Sequence, residues 1–271
     1  MVLAVDIGNS NIVLGCFEGE QILFIERLST NQNSTALEYT ILIKNILELN
    51  NLSHQSFEGG IISSVVPSVT HTVQNAMLRL INQENPASSG TNTPDKPVMV
   101  VGPGIRTGLK IMLDNPAQLG SDRVADAVAA IHDYPCPLII VDMGTATTVS
   151  TVDRNKNFLG GMIIPGLRVS LDSLTMRTSQ LPKISLDPPK HVIGSNTIDC
   201  MRSGIIYSTA ASIDGMVERI EEELGERCTV ISTGGLARVI IPYCKHDIII
   251  DDQLLLKGLM LIYNKNRGSG R

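Results

Sequence analysis

The chain has 271 residues, 43% hydrophobic and 18% charged, which is enough apolar material for one large or two moderate domains and too little charge for a disordered chain. The net charge of −5 argues against nucleic acid as the main partner. No apolar run is long enough to span a bilayer, and the N-terminal MVLAVDIGNS lacks the pattern of a signal peptide, so we expect a cytoplasmic protein without a membrane partner.

The five cysteines and five histidines show none of the spacings that mark a metal or redox site. The cysteine count is odd and no CxxC pair occurs, which argues against a disulfide framework and against a zinc site. Most of the cysteines stand in apolar runs, where a small buried side chain is the simpler explanation.

The first half of the chain is predicted to begin with three strands and to continue with alternating helices and strands. The strands are expected at 2–6, 12–17, 22–27, 60–66 and 97–101, and the helices at 34–49 and 68–81. The segment 82–96 is rich in Asn, Pro, Ser, Gly and Thr, and is predicted to be an exposed, mobile loop.

The second half repeats this plan. Its strands are expected at 137–142, 146–153, 158–164, 228–232 and 248–250, and its main helices at 166–178, 203–224 and 253–264. The first three of these strands match the opening three strands of the chain in order and spacing. Strand triplets followed by alternating elements indicate α/β layers. The repeat places the division between the halves near residues 114–120, which gives domains 1–114 and 115–271.

A phosphate-loop pattern occurs at the same place in both halves. The first copy is AVDIGNSNIVLG, with Asp6 and Gly8, and the second is IIVDMGTATTVS, with Asp142 and Gly144. The glycine allows a tight turn and leaves room for a phosphate. Backbone N–H and hydroxyl groups can bind its oxygens, and the Asp can hold a metal ion or orient a water. One such turn is common in hairpins, but two at matching positions predict a duplicated nucleotide-binding fold with the nucleotide between the halves.

Another candidate site lies in DNPAQLGSDR, residues 114–123. Gly120 and Ser121 can end a loop and cap a helix, which puts Asp122 and Arg123 in its first turn. The helix dipole favours an ionised carboxylate there, and such a group is suited to accept a proton from a substrate hydroxyl. A plain helix cap with a solvated arginine explains the same residues equally well.

Three more segments are candidates for ligand contacts. VGPGIRTGL, residues 101–109, predicts a rigid turn with one cation and one hydroxyl. Asn196 and Thr197 are typical of a helix start, for which capping is the simpler explanation. VISTGGLA, residues 230–237, leads from a strand to a helix through glycine backbone on which an adenine or ribose could lie, although many turns share this pattern. Neither GxxxxGK[ST] nor GxGxxG occurs.

In combination, these segments resemble type III pantothenate kinases, within the superfamily of actin, sugar kinases and acetate kinase. The resemblance rests, in chain order, on DIGNSNIVLG, GPGIRTGL, DNPAQLGSDR, VDMGTATT, GGMIIPG, IGSNT and STGGLA. It implies an α/β fold of duplicated actin-like (ribonuclease H-like) domains, with the nucleotide in the cleft between them. It also implies transfer of the γ-phosphoryl group of ATP to the primary hydroxyl of pantothenate, the first step of coenzyme A biosynthesis.

The resemblance further implies roles for individual residues. Asp122 is the proton acceptor, Asp142 a ligand of a monovalent cation (K⁺ or NH₄⁺), and Asp6 a candidate ligand of the Mg²⁺ that accompanies ATP. The residues implied in ATP binding are Asp6, Ile7, Gly8, Asn9, Ser10, Asn11, Ile12, Val13, Thr145, Gly234 and Gly235. Those implied in pantothenate binding are Leu113, Gly120, Ser121, Asp122, Arg123 and Thr197.

A homodimer is also expected, because the family is dimeric and the partner chain helps to close the pantothenate pocket. The apolar helix face from Ile206 to Leu224, longer than one small domain obviously needs to bury, favours the same conclusion.

Two positions depart from the family pattern. Leu113 stands where many members have an aromatic residue, often Tyr, that contacts the substrate, and Ser121 stands where Ala is frequent. Two other functions fit the motifs: another kinase or a polyphosphate-type phosphatase of the superfamily, or a non-catalytic relative that acts as a transcription accessory factor. The presence of Asp6, Asp122 and Asp142 together favours the kinase.

Overall fold

The computed structural model describes residues 1–52, 57–82 and 96–267, so most of the loop predicted at 82–96 lies outside the described residues. The chain forms two compact units. Unit 1 comprises Met1–Gly108, Ala117–Ala129 and Leu255–Arg271, and unit 2 comprises Leu109–Pro116 and Ala130–Leu254. The chain thus passes between the units more than once, whereas the sequence suggested a single division after residue 114. That division remains a prediction about the duplicated halves.

Each unit is built on one sheet with helices. The elements, in chain order, are β1 (Val2–Ile7), β2 (Asn11–Glu18), β3 (Gln21–Ser29), α1 (Ala36–Leu49), β4 (Gly59–Ser64), α2 (Pro67–Ile81), β5 (Val98–Val100), β6 (Lys110–Ile111), α3 (Ser121–Asp133), β7 (Leu138–Met143), β8 (Ala146–Val152), β9 (Asn157–Pro165), α4 (Leu167–Arg177), α5 (Thr197–Leu224), β10 (Thr229–Thr233), α6 (Ala237–Ile240), β11 (Ile249–Ile250) and α7 (Leu254–Asn266).

The two sheets repeat one topology. The first has the order β3-β2-β1-β4-β5 and the second the order β11-β10-β7-β8-β9-β6. In each, three consecutive antiparallel strands are followed along the chain by a strand that pairs in parallel with the first of them, β4 with β1 and β10 with β7. The predicted repeat of three strands is confirmed. Strand β6 was not predicted, because two residues are too few to show a periodic pattern.

Each unit has its own apolar core. The strands β1 and β7 are almost entirely buried, as expected for strands covered on both faces. Helix α1 begins with a capping box, in which Thr35 accepts from the N–H of Glu38 and the Glu38 carboxylate accepts from the N–H of Thr35. Representative core residues are Val5, Leu14, Ile43, Ile62 and Met77 in unit 1, and Ile139, Val149, Ile206, Ile213 and Val217 in unit 2.

Helix α5 confirms one expectation and corrects two. It begins at Thr197, as the predicted helix start at Asn196 and Thr197 indicated, because the Asn196 side chain accepts from the N–H of Asp199 and caps the helix. The apolar pattern had placed the beginning of the helix at 203, six residues too late. Its apolar face, including Ile206, Ile213 and Val217, is buried in the core of unit 2. The length of that face is therefore explained within one chain and gives no evidence of a partner.

No helix in the described part of the chain is both long enough and apolar enough to cross a membrane.

Candidate functional site

The first phosphate loop is the turn between β1 and β2. The N–H of Gly8 donates to the carbonyl of Asn11 at 2.9 Å, and a Cβ at position 8 would lie 3.1 Å from that oxygen. The side chains of Asn9 and Asn11 are exposed, while Ile7 and Ile12 are buried on either side of the turn. The buried side chains of Ile7 and Ile12 thus anchor the two ends of the loop. The polar residues between them are the part that could bind a ligand.

Asp6 lies at the end of β1 next to the second element of the site. In the parallel pairing of β1 with β4, Asp6 is in register with Ser63. Ser63 is fully buried, and its Oγ lies 3.0 Å from the Oγ of Ser121, the first residue of α3. Hence unit 1 brings the end of the Asp6 strand and the start of the GSDR helix to the same edge of the sheet.

The hydroxyl of Ser121 joins α3 to the end of β4. It accepts from the N–H of Ser64 at 2.9 Å and donates to the Ser64 carbonyl at 3.0 Å, in addition to its contact with Ser63. These bonds engage the hydroxyl with the strand, whereas the sequence suggested that Ser121 caps its own helix. A contact between Ser121 and pantothenate remains a prediction.

Asp122 stands in the first turn of α3, as predicted, and is half-buried. Its Oδ1 accepts from the N–H of Arg123 at 2.8 Å. A Cβ at position 120 would lie only 2.3 Å from the same Oδ1. Glycine at 120 therefore leaves the space that the Asp122 carboxylate occupies.

A second acid, Asp126, lies one helical turn after Asp122. It is 2% exposed. Burial lowers the pKa of the neighbouring Arg123 guanidinium, while the negative charges of Asp122 and Asp126 oppose this shift. Asp126 was not among the predicted site residues, although its spacing of four residues from Asp122 places both acids on one face of a helix.

In unit 2, the second phosphate loop is the turn between β7 and β8. The N–H of Gly144 donates to the carbonyl of Ala146 at 3.1 Å, the counterpart of the Gly8 bond in the first loop. Gly144 and Thr145 are exposed, and Asp142 is half-buried at the end of its strand. The predicted likeness of the two loops is thus seen in their backbone hydrogen bonds.

The TGG turn adjoins this loop. Thr233, the last residue of β10, is in register with Asp142. Gly234 has φ +90°, and a Cβ there would lie 2.5 Å from the Asp142 Oδ1. Both its conformation and its neighbour require glycine at this position. Unit 2 therefore brings together Asp142, Thr145 and Gly234, which the sequence predicted separately.

Leu113 and Thr197 lie elsewhere in unit 2. Leu113 is half-buried, and its Cδ2 would lie 3.3 Å from a Cβ at Gly160 of β9. Thr197 is exposed at the first position of α5. Their contacts with substrate remain predictions.

The donor atoms at the two strand ends suit hard cations. Carboxylate oxygens are ligands that Mg²⁺ and other hard cations prefer, and Mg²⁺ is commonly held by one or two carboxylates together with substrate phosphates. Asp6 and Asp142 each offer such a carboxylate beside a loop of backbone polar groups. Among the described residues, no group of three or more His, Cys, Asp or Glu side chains is arranged to hold a metal ion.

Comparison with known proteins identifies relatives over almost the whole chain. A family model described as type III pantothenate kinase matches residues 2–219. Proteins named type III pantothenate kinase from an Exiguobacterium species, Brevibacillus brevis and Halalkalibacterium halodurans are 43%, 41% and 40% identical. Each alignment covers 98% of this chain and 100% of the relative.

Solved structures support the fold. A Baf family transcriptional activator from Campylobacter jejuni matches with a TM-score of 0.59 at 19% identity, covering 98% of both chains. Component A of (R)-2-hydroxyglutaryl-CoA dehydratase from Acidaminococcus fermentans matches with a TM-score of 0.56 at 13% identity, covering 97% of this chain and 96% of that chain. At such identities the likeness concerns the fold alone. It confirms the predicted α/β architecture with duplicated actin-like domains.

Proposed function

Because the chain belongs to the type III pantothenate kinase family, we propose that it uses ATP to phosphorylate pantothenate, the first step of coenzyme A biosynthesis. The observation that supports this best is the arrangement of the GSDR turn. Asp122 stands at the start of α3, beside the strand end of Asp6, with space for its carboxylate left by Gly120. Such a carboxylate can act on a substrate hydroxyl next to a phosphate loop.

In the proposed reaction, Asp122 orients the primary hydroxyl of pantothenate and accepts its proton. The hydroxyl oxygen forms a bond to the γ-phosphorus as the bond from that phosphorus to the β–γ bridging oxygen breaks, and ADP leaves with the electron pair. Phosphoryl transfer of this kind depends on alignment and charge neutralisation more than on covalent chemistry by the protein. We assign pantothenate to Gly120, Ser121, Asp122 and Arg123, with Leu113 and Thr197 as further contacts.

For ATP, we assign the phosphates to the first loop. The loop and its flanks comprise Asp6 to Val13. Asn9 and Ser10 are exposed, so this is the part of the loop that we expect to meet a phosphate group. Ile7 and Ile12 are buried, so their side chains position the loop and only their backbone can face the nucleotide. Thr145 is proposed as a further ATP contact, and Gly234 and Gly235 as the adenosine contacts.

The cation ligands follow from the two strand-end carboxylates. We assign Asp6 to Mg²⁺, which accompanies ATP, and Asp142 to a monovalent cation, K⁺ or NH₄⁺. When bound, these ions supply positive charge against the charge of the triphosphate. The chain's own part is to hold the carboxylates beside the loops. The position of the Asp142 carboxylate depends on Gly234, because any larger residue there would collide with it.

We also propose a homodimer. The buried face of α5 does not support it, so the proposal rests on the family resemblance, and we place the candidate interface on a different face of this helix. A groove of about 510 Å³ lies between α5, α4 and the end of β9. The exposed, small residues Ser208, Ala211 and Ser212 line it. Small residues allow another chain to approach closely, so this groove is our candidate interface.

Since ATP is a cytoplasmic metabolite, we place the protein in the cytoplasm.

A coupled assay of ADP release tests the proposal. Release should require both Mg-ATP and pantothenate, and should be faster with K⁺ than with Na⁺. Asp142→Ala should abolish the stimulation by K⁺, because it removes the carboxylate that we assign to the cation. ADP release that ignores pantothenate would contradict the assigned substrate, and a mutant that remains fully K⁺-dependent would place the cation elsewhere.

A further inference from the structure

Thr30, the first residue after β3, holds the first phosphate loop from outside the pattern that defines it. Its hydroxyl donates to the carbonyl of Gly8 at 2.6 Å. Its backbone N–H donates to the carbonyl of Ser10 at 3.0 Å. Thr30 therefore fixes two carbonyl groups of the loop, one through its side chain and one through its backbone.

These bonds decide which way the loop presents its N–H groups. A peptide bond is planar and trans, so its N–H points opposite to its carbonyl. Fixing the Gly8 carbonyl on Thr30 therefore directs the N–H of Asn9, which belongs to the same peptide, to the other side. The residue Asn9 is exposed. A phosphate is bound by N–H groups and repelled by carbonyl oxygens, so this orientation is the one that a phosphate loop needs. Hydrogen bonding at the carbonyl also polarises the peptide and strengthens its N–H as a donor.

Unit 2 has a counterpart at the matching place. Gly166 is the first residue after β9, and its N–H donates to the carbonyl of Thr145 at 3.1 Å. A Cβ at position 166 would lie 2.2 Å from the Thr145 carbonyl oxygen and 2.6 Å from that of Gly144. The same strand end thus supports the loop in both units, by a side-chain hydroxyl in one and by close backbone contact in the other.

We infer that Thr30 is a positioning residue of the first phosphate loop, which acts through the Gly8 carbonyl on nucleotide affinity, and that Gly166 has the equivalent role in the second loop. This inference rests on the proposed function, because it takes the loops to be the sites of ATP phosphates. It assigns no contact between Thr30 and the substrate.

The test compares Thr30→Val, which keeps the shape but removes the hydroxyl, with Thr30→Ser, which keeps the hydroxyl. Thr40→Val is the matched control, because the Thr40 hydroxyl also donates to a backbone carbonyl, that of Ala36, at 2.7 Å within unit 1. The KM values for ATP and for pantothenate, the affinity for Mg-AMP-PNP by calorimetry and the melting temperature are measured for each variant.

We expect Thr30→Val to raise the KM for ATP and the Kd for Mg-AMP-PNP about three- to tenfold, the loss expected for one neutral hydrogen bond. The pantothenate KM should stay near the wild-type value, Thr30→Ser should restore ATP affinity, and Thr40→Val should change neither constant. If Thr30→Val does not fold, Thr30→Ala takes its place against Thr30→Ser.

Two results would overturn the inference. ATP affinity in Thr30→Val equal to that of the Thr40→Val control would show that the hydroxyl does not position the loop. An equal rise in both KM values would show a general loss of structure instead. If the wild-type protein itself failed to bind Mg-AMP-PNP, the proposed function would fall together with the inference, whereas normal wild-type binding confines the failure to Thr30.

Discussion

At the scale of single residues, the position of the Asp122 carboxylate depends on neighbours of two kinds. Gly120, two residues earlier, provides the space for it, since a Cβ there would lie 2.3 Å from Oδ1. Ser63, distant in the chain, contacts Ser121 and so helps to fix the helix start. A proton acceptor in phosphoryl transfer has to be aligned with the attacking oxygen, so in the role that we propose for Asp122 these neighbours would set that alignment.

Asp122→Asn directly tests the proposed role of Asp122 as proton acceptor. An amide cannot accept the hydroxyl proton, so we expect kcat to fall by about 10²–10⁴-fold. The affinity for ATP should remain close to wild type, because the phosphate loop is unchanged. Steady-state kinetics and nucleotide calorimetry measure the two effects. A near-normal kcat would show that another residue accepts the proton, and Asp6 would be the first candidate.

Gly120→Ala tests the space around the carboxylate without removing it. The added methyl group meets the end of a side chain, so Asp122 can rotate away while the fold is retained. Misplacement of a reacting group by about 1 Å can cost about 10²-fold in rate, so we expect kcat to fall by up to that factor. Gly204→Ala in α5 is the control, because a Cβ there meets no atom within 4 Å among the described residues and the position belongs to none of the proposed contacts. Equal activity in both variants would contradict the role of Gly120.

At the scale of elements, α3 and α7 cross at very short distance. A Cβ at Gly258 of α7 would lie 1.9 Å from the carbonyl oxygen of Ala125 in α3. Both residues belong to unit 1. This close contact requires glycine at position 258. A larger side chain would meet the backbone of α3, which cannot move aside as the end of a flexible side chain could.

Gly258→Ala should lower the free energy of unfolding by about 1–3 kcal/mol, the usual cost of overpacking. Thermal or denaturant unfolding measures it. Gly204→Ala in α5 is the matched control. Among the described residues a Cβ there meets nothing within 4 Å, so alanine should stabilise the helix by about 0.4–1 kcal/mol. If both variants changed the free energy of unfolding in the same direction, the close contact between Gly258 and Ala125 would be contradicted.

Asp214 connects α5 with the segment that leads to β11. Burial raises its pKa, but its bonds from the N–H groups of Lys245 and His246 and from the His246 ring outweigh this, so the pKa lies below the ordinary value of 3.8. Because the folded pKa is lower than the unfolded one, the ionised carboxylate stabilises the fold above pH 3.8. This contribution is lost as the pH falls through the folded pKa.

Asp214→Asn should therefore lower the free energy of unfolding near neutral pH by about 1.5–3 kcal/mol, the range for hydrogen bonds to a charged group. The difference from wild type should narrow as the pH falls below the ordinary value of 3.8 and through the lower pKa of the folded protein, where the wild-type carboxyl also becomes neutral. Denaturant unfolding across pH measures this, with the exposed Asp247→Asn as control. A difference that stayed constant down to low pH would show that the charge of Asp214 is not what stabilises the fold.

At the scale of the whole molecule, the open question is assembly. Ser212→Arg places a long, charged side chain in the small-residue groove of α5, and we expect it to convert the homodimer to a monomer in light scattering. Glu222→Arg, exposed on the same helix outside the groove, should remain dimeric. A monomeric wild-type protein with full activity would refute the dimer, and a dimeric Ser212→Arg would place the interface on another surface.

Features that depend on neighbouring residues in the chain could be predicted from the sequence. The three strands that open each half, the two loops after Asp6 and Asp142 and the helix start at Ser121 all follow from short-range patterns of apolar residues, glycines and capping groups. The family resemblance, and with it the identity of the reaction, rests on the same short motifs.

Contacts between residues that are distant in the chain became known from the three-dimensional structure. It joined Ser63 to Ser121, Gly234 to Asp142, Thr30 to Gly8 and Gly258 to Ala125. It also assigned Leu255–Arg271 to unit 1 and paired Lys110–Ile111 with β9. The reason is physical. Local periodicity specifies which face of an element is apolar, but the partner that covers this face is chosen by packing and hydrogen bonding across the whole chain.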